Sequence, residues 1–230
     1  MKIYGGIYMK DDGLSTAVRG MHLQTEFFRI GSDNIAGASK VGYQGKKAVL
    51  SSFAEYLGPY ALSEVKDTTP GRIQQTGNPL DLACANETYF QYQTPEGIKL
   101  TKDGRFQLDK DGWLRTIEGH KVLSRTGSPI KFQHIPDDLR TIKVNTDGEI
   151  SILNKLTMEQ EPVDTIGVAS ENGVAVSTAD IKQGYVENSN ITLQEEYLKL
   201  LAPRRTFQAC RQMFIIQNSA LSQVVSKLGS

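Results

Sequence analysis

The C-terminal end of the chain carries an apolar repeat of seven residues, the feature that most restricts how the protein can fold. Large apolar side chains occupy Leu193, Leu200, Phe207, Phe214, Leu221 and Leu228. This spacing keeps them on one stripe of an α-helix, and so long a repeat is typical of coiled coils rather than ordinary amphipathic helices. Ser189 and Asn190 are the predicted N-caps, and Glu195 and Glu196 lie in the early turns, where the helix dipole favours acids.

The second apolar position of each heptad is poorly filled. It holds either Tyr197, Arg204, Arg211, Asn218 and Val225, or, one residue earlier, Glu196, Pro203, Cys210, Gln217 and Val224. An isolated helix pair with either set is predicted to be poorly stable. Pro203 also removes a helical hydrogen bond, so it is predicted to kink or restart the helix. Both features favour helices that are completed by neighbouring molecules.

A second helix is predicted near the N-terminus, from Gly13 to about Ala38. Its apolar side chains recur at Leu14, Val18, Met21, Phe28 and Ile35. Most of these are seven residues apart and therefore share one stripe of the helix. Three glycines at 37, 42 and 45 predict where the helix stops. We therefore expect a helix at each end of the chain, the two pairing as a coiled-coil core.

The middle of the chain has the pattern of β-structure with tight turns. Residues 97–123 alternate apolar and polar side chains around the turn signals Asp103–Gly104 and Asp111–Gly112. Further turn signals follow at Asp147–Gly148 and Asn172–Gly173. The sequence thus predicts an α+β fold: an all-β middle domain at 70–184, helical segments at 1–45 and 185–230, and an extended linker at 46–69.

Composition argues against several classes of function. The 230 residues contain 26 Lys and Arg against 26 Asp and Glu, so no basic surface for nucleic acid is indicated. The two cysteines and three histidines lack the spacing of a metal site or a disulfide framework, and no cofactor is predicted. Asp11 and Asp12 interrupt the apolar start of the chain, so neither a secretory signal nor a membrane span is predicted.

Candidate chemical groups have simpler structural interpretations. Asp109 to Trp113 resembles the opening of a calcium loop, but no late glutamate follows at the required distance. The aspartates that could pair as glycosidase acids are Asp81, Asp103, Asp109 and Asp111. Aspartate is common at turns, which accounts for all four. Cys84 has no histidine nearby in sequence and is predicted to be a small buried hydrophobe.

The stretch TGNPLDLA, at 76–83, is predicted to be a bend followed by an entry strand. Gly77 and Asn78–Pro79 supply the turn residues, which would direct Leu80 and Leu82 into a β-core. Asp81 would then lie on the opposite face of the strand, in a turn or inter-strand hydrogen bond.

Three segments together resemble the flagellar basal-body rod and hook family, the axial proteins of the bacterial flagellum. The first is IGSDNIAGASKVGYQ, where Ser32, Asn34, Ile35, Ala36, Gly42 and Tyr43 match the family pattern while Asp33 and Gly37 replace expected asparagines. The second is TGNPLDLA with TPEGIKLTKDGRFQLDKDGWL after it, and the third is QGYVENSNI with EEYLKLLAPRRTFQA. They occur in the family's order, so the resemblance covers nearly the whole chain.

The resemblance implies a structural rod subunit, not an enzyme, that polymerises through the two apolar helix stripes. Its implied partners are copies of itself, other rod and hook proteins, and the flagellar type III export apparatus. That apparatus would deliver the subunit to the periplasmic rod without a cleavable signal peptide. The proximal-rod type is favoured over the distal type, because the extra segment typical of the distal rod is not evident between Lys46 and Thr69.

One alternative class stays open at this point: a cell-wall-associated β-domain enzyme or glycan-binding module with helical oligomerisation arms. A pocket with clustered carboxylates in the β-domain would favour it. Under the rod interpretation, a free subunit cannot cover its own apolar repeats. Residues 14–35 and 193–228 are therefore predicted to be largely disordered until assembly.

Overall fold

The computed structural model of the protein describes residues 3–4, 7–8, 13–50, 62–85, 87–154, 159–176 and 179–228. The α+β prediction is confirmed, with a helix towards each end and β-structure between them. The helices are α1 (Gly13–Gly37), α2 (Leu193–Lys199) and α3 (Leu201–Leu228), and a 3₁₀ turn spans Leu139–Thr141.

The strands are short and pair antiparallel throughout the described chain. They are β1 (Ile3–Tyr4), β2 (Ile7–Tyr8), β3 (Lys46–Leu50), β4 (Leu62–Lys66), β5 (Ile73–Gln75), β6 (Leu82–Cys84), β7 (Thr88–Thr94), β8 (Gly97–Thr101), β9 (Phe106–Leu108), β10 (Leu114–Thr116), β11 (Lys121–Val122), β12 (Ile142–Val144), β13 (Glu149–Leu153), β14 (Gln160–Thr165), β15 (Val168–Ser170), β16 (Ile181–Gln183) and β17 (Tyr185–Glu187).

Contacts divide the chain into two compact units. The helical unit comprises the described residues of 1–36, 46–67 and 191–230, and the β unit those of 37–45 and 68–190. This division differs from the predicted limits at 37–45 and 185–190, which the sequence assigned to the helical segments. Those residues hydrogen-bond to the rest of the β unit instead: the amide of Asn188 donates to the carbonyl oxygen of Arg72 at 2.9 Å.

The β unit is built from one larger sheet and several smaller ones. The larger sheet has the order β15-β7-β11-β10-β9, with β8 also pairing β7. A second sheet is β12-β13-β14, and β16-β6 and β17-β5 form two-stranded pairs. One apolar core joins them, in which the rings of Phe90 and Phe106 meet edge to face with centroids 5.1 Å apart. Leu80 and Leu82 lie in this core, as the entry-strand interpretation predicted.

The predicted turns are confirmed at three of four positions. Gly112, Gly148 and Gly173 all have positive φ, which glycine adopts without steric cost. The fourth prediction, a hairpin turn at Asp103–Gly104, is wrong, because β8 pairs with β7 and β9 with β10 rather than with each other. A Cβ at Gly104 would collide with the carbonyl oxygen of Leu82, so glycine is required there for close approach of two backbones.

The predicted linker at 46–69 also differs from the structure. β3 and β4 pair over five residues, from Lys46 opposite Lys66 to Leu50 opposite Leu62, and form a two-stranded ribbon in the helical unit. The middle of the predicted linker, 51–61, lies outside the described residues. The side chains of both strands are mostly exposed, so the sequence shows no buried face by which to recognise them.

The C-terminal helix breaks where Pro203 predicts. α2 ends at Lys199 and α3 begins at Leu201, so the proline lies in the first turn of α3, where an amide N–H has no helical acceptor. Glu195 and Glu196 lie in the first turn of α2, as predicted. The predicted N-caps are wrong: Thr192 is the N-cap and makes no side-chain cap bond.

Candidate assembly interface

Three glycines of α1 lie directly against α3 or the residue preceding it. A side chain at Gly13 would collide with the amide end of Gln217. A Cβ at Gly20 would lie 2.7 Å from the Sγ of Cys210, and one at Gly31 would lie 2.6 Å from the Cδ2 of Leu200. As the α1 number rises the partner number falls, so the two helices run antiparallel. We call these three contacts the glycine ladder.

The half-buried positions along α3 show which heptad phase faces α1. From the ladder contact onward they are Leu200, Pro203, Phe207, Cys210, Phe214 and Gln217. Their alternating spacing of three and four selects the earlier of the two phases left open by the sequence. Leu200, Phe207 and Phe214 supply the large apolar side chains of this face, whereas Pro203, Cys210 and Gln217 between them bury little apolar area. Only about half of the facing positions therefore carry a large apolar side chain.

The predicted self-assembly residues of α1 lie beside the ladder rather than on it. Leu14, Val18, Met21, Phe28 and Ile35 are each only half-buried. On the C-terminal side, Leu200, Phe207 and Phe214 are half-buried, whereas Leu193, Leu221 and Leu228 are 44%, 54% and 83% exposed. The structure thus leaves apolar surface on both helices, and that these residues mediate self-assembly stays a prediction.

α3 has no buried side chain along its 28 residues. Its most exposed apolar side chains are Leu201, Met213, Ile215, Ile216, Leu221, Val224, Val225 and Leu228. The last four lie beyond Gln217, the residue that faces the first residue of α1. Large contiguous apolar patches are rare on monomeric proteins and mark surfaces that contact other molecules. This end of α3 can therefore be covered by another protein chain.

Asn34 joins three segments of the helical unit through buried hydrogen bonds. Its amide oxygen accepts from the backbone amide of Lys46 at 2.8 Å, and its nitrogen donates to the Lys46 carbonyl oxygen at 2.9 Å. The same nitrogen donates to the carboxylate of Glu196 at 3.1 Å. Glu196 is 4% exposed and also accepts from the Nζ of Lys199 at 2.6 Å. We call these four residues the polar node.

A second cluster of charges fastens the β3–β4 ribbon to α1. The Nζ of Lys46 lies 2.9 Å from Asp33 and 3.2 Å from Glu64, and Arg29 also pairs with Glu64. The hydrogen bond from Lys46 holds the pKa of Asp33 below its usual value. These side chains are partly exposed, so each pair contributes little stability by itself. The cluster nevertheless fixes where the ribbon lies on the helix.

The polar residues of QGYVENSN bind the β unit's own backbone. The amide of Gln183 donates to the carbonyl oxygens of Pro79 and Ile142. Asn190, predicted as a helix cap, accepts from the amide of Gly45 at 2.8 Å and donates to the carbonyl oxygen of Thr69. Each of these side chains therefore joins segments distant in sequence, which is a structural role.

Glu187, from the same segment, forms a buried ion pair. Its carboxylate lies 3.2 Å from the Nζ of Lys102, and both side chains are less than 5% exposed. The second carboxylate oxygen accepts from the amide of Gly71 at 2.9 Å. The sequence analysis missed this pair because 85 residues separate the partners.

The groups considered for catalysis are engaged in local structure. Burial raises the pKa of the Cys84 thiol to about 11, and its Sγ donates to the carbonyl oxygen of Thr88. Asp81 accepts from the side chain of Asn78, and Asp109 accepts from two turn amides and pairs with Arg115. Among the described residues no group of three or more acids, histidines or cysteines is placed to hold a metal ion.

A surface groove of about 470 Å³ lies between the 131–141 segment and the β13–β14 strands. Asp137, Asp138 and Glu161 line it, which is the kind of cluster that the enzyme alternative requires. Two of these acids have local partners, however. Asp138 accepts from the amide of Arg140 at the start of the 3₁₀ turn, and Glu161 accepts from the side chain of Asn154.

Within the described residues, none of the helices is long and apolar enough to cross a membrane.

Comparison with known proteins favours the rod interpretation over the enzyme alternative. Residues 83–152 match the family described as flagellar hook protein FlgE/F/G D1 domain. The flagellar basal-body rod protein FlgF of Mesorhizobium japonicum is 27% identical over 222 residues, covering 86% of this chain and 90% of the relative. The rod protein FlgG of Bacillus subtilis is 28% identical over 223 residues, covering 85% of this chain and 82% of the relative. Over most of its length, the chain is therefore similar to flagellar basal-body rod proteins.

A further relative is a hook-basal body complex protein. FlhO of Bacillus subtilis is 25% identical over 270 aligned residues, which cover 94% of the chain and 98% of the relative. These relatives carry names of structural flagellar components rather than of enzymes. The similarity extends through both helical ends, so it is not confined to the β unit.

The resemblance to rod proteins identified segments that make structural contacts, but it did not predict which contacts they make. Asn34 was noted as a matching position, whereas its contacts with Lys46 and Glu196 were not foreseen. An asparagine inside an otherwise apolar helical pattern was the available signal, since such a residue usually has a specific partner when buried. Gly13, Gly20 and Gly31 gave a second signal, because glycine inside a helix is unfavourable without a packing reason.

Proposed function

We propose that this chain is a structural subunit that polymerises through its terminal helices into the axial drive shaft of the flagellar basal body. The observation that supports polymerisation through the helices is α3, a 28-residue helix without a buried side chain. Helices of this length in globular proteins gain most of their stability from packing an apolar face. For α3 that packing must come largely from other subunits.

Covering the free end of α3 supplies a substantial driving force. Leu221, Val224, Val225 and Leu228 are between 52% and 83% exposed. Fully burying one such side chain contributes roughly 1.5–3 kcal/mol, and each subunit offers several of them. Ordering the helix ends opposes this gain. The balance favours a helix that is fully ordered only when neighbours cover it on more than one side.

The proposal extends to partners and location. The proposed neighbours are copies of this chain and other rod and hook proteins. The proposed export route is the flagellar type III apparatus, which would not require a cleavable signal peptide. The β unit would form the outer layer of the periplasmic rod and contact adjacent subunits. We favour the proximal part of the rod, because the residues between Lys46 and Thr69 lack the extra segment of the distal type.

The test compares two substitutions on the free end of α3. Leu221→Asp places a charge on the exposed apolar surface, whereas Gln223→Asp changes an exposed polar position two residues away. In a strain whose own copy is deleted, basal bodies should contain the Gln223→Asp protein at the wild-type level and lack the Leu221→Asp protein. Immunoblots of isolated basal bodies and of whole cells separate failed incorporation from failed expression. Equal incorporation of both variants would contradict the proposal.

A further inference from the structure

The apolar repeats do not by themselves determine how far along each other the two helices pair. Because the C-terminal repeat recurs every seven residues, sliding α3 by seven places another large apolar side chain at each position. Such a slip moves the helix by about 10.5 Å and keeps the same stripe facing its partner. Something other than the apolar pattern must select one alignment.

The glycine ladder and the polar node lie on one alignment. Gly13 faces Gln217, Gly20 faces Cys210 and Gly31 faces Leu200. Asn34 bonds to Glu196 with the same offset, so the node is the next contact along the same antiparallel pair. Among these contacts, the node joins two buried polar side chains that each need a specific partner.

We infer that the buried contact between Asn34 and Glu196 determines the register of the terminal helix pair. The backbone of Lys46 holds the Asn34 amide at both its oxygen and its nitrogen, so the ribbon orients this side chain independently of α2. The β3–β4 ribbon thereby takes part in aligning the helices. A single buried asparagine is known to select one register in coiled coils, at some cost in stability.

A slip of seven residues leaves this contact unmade in either direction. In one slipped alignment Asn34 would lie opposite Pro203, which offers no side-chain acceptor. In the other, the carboxylate of Glu196 would lie opposite the ring of Phe27. In either slip the buried Glu196 carboxylate loses Asn34 and keeps only Lys199, which lies on its own helix. A buried polar group that loses a hydrogen-bond partner is disfavoured, because it keeps the cost of desolvation. The observed register is therefore favoured over the two slipped registers, although the apolar pattern is compatible with all three registers.

A fixed register would make every subunit present the same helix surface to its neighbours. Only this consequence rests on the proposed assembly; the register itself does not. The test of the register uses the purified full-length chain. The native Cys210 can report the register through a disulfide, since a Cβ at position 20 would lie 3.7 Å from the Cβ of Cys210. That separation is within the range of disulfides. Cys84 is 1% exposed and does not compete.

Three single substitutions give one reporter for each register. Gly20→Cys reports the observed alignment, whereas Gly13→Cys and Phe27→Cys report slips of seven residues in the two directions. After mild oxidation, mass spectrometry of tryptic peptides quantifies each disulfide with Cys210. We expect the 20–210 product to exceed each slipped product by about tenfold or more, the ratio that one hydrogen bond to a charged group supports.

The same reporters are then combined with changes at the node. Asn34→Leu, or Glu196→Leu as a second variant, should bring the slipped products to within about threefold of the 20–210 product. Glu196→Gln should keep the original ratio, because its amide oxygen still accepts from Asn34. An unchanged ratio, or a proportional loss of all three products, would overturn the inference. A selective 20–210 disulfide in a chain that fails to enter rods would refute the proposed function and leave this inference standing.

Discussion

Replacing Lys102 with methionine tests what holds the β unit together. The Nζ of Lys102 lies 3.2 Å from the carboxylate of Glu187, and the two side chains are 2% and 4% exposed. Methionine keeps much of the apolar stem of lysine but removes the charge. The Glu187 carboxylate then retains the amide of Gly71 as a donor and loses its cation.

The cost follows from the burial of the remaining carboxylate. Removing one partner of a buried ion pair typically costs about 3–5 kcal/mol, because an uncompensated charge is left away from water. For a unit of this size that corresponds to a fall of roughly 10–20 °C in melting temperature. The double variant Lys102→Met/Glu187→Gln should recover much of the loss, since the glutamine oxygen still accepts from Gly71 without carrying a charge.

The assay is urea unfolding followed by the fluorescence of Trp113, the single tryptophan of the chain, which lies in the β unit. Lys99→Met is the matched control, because Lys99 pairs with Glu96 on the surface, with the two side chains 49% and 78% exposed. Such an exposed pair contributes little to stability. Equal destabilisation by the two substitutions would refute the reasoning, as would a double variant no more stable than Lys102→Met alone.

Three further predictions concern the helices and the cysteines. Gly31→Leu overfills the contact with Leu200 and should lower the yield of the 20–210 disulfide about tenfold, in line with an overpacking cost of about 1–3 kcal/mol. Iodoacetamide at about pH 8 should label Cys210 before unfolding and Cys84 only after it, because burial raises the pKa of Cys84 to about 11. The lowered pKa of Asp33 stabilises the folded chain above the carboxyl's unfolded pKa, and this contribution is lost as the pH falls through the lower folded pKa. Thermal melts at about pH 3 and about pH 6 should therefore differ less for Asp33→Asn than for the wild type.

Local patterns in the sequence predicted much of the fold. The spacing of apolar residues predicted α1, the turn dipeptides predicted most of the tight turns, and Pro203 predicted the break between α2 and α3. Each of these signals depends on residues close together in the chain. Their physical basis is local, in backbone conformation and helix periodicity, so tertiary contacts were not needed to recognise them.

Contacts between distant residues were not predictable in the same way. The apolar pattern predicted that Leu14, Met21 and Phe28 form the contact stripe of α1. The glycines of the ladder, which lie beside them, instead lie directly against α3 and Leu200. The spacing of apolar side chains predicts which face of a helix is buried, but glycine has no side chain and does not contribute to that pattern. The ion pair between Lys102 and Glu187 had no sequence signal because its partners meet only after the β unit has folded.

Electron microscopy of basal bodies from a strain that lacks this chain tests the central claim most directly. We expect absent or truncated rods, restored by the wild-type chain and by Gln223→Asp but not by Leu221→Asp. Complete rods in the deletion strain, or full restoration by Leu221→Asp, would contradict a structural subunit that polymerises through its terminal helices.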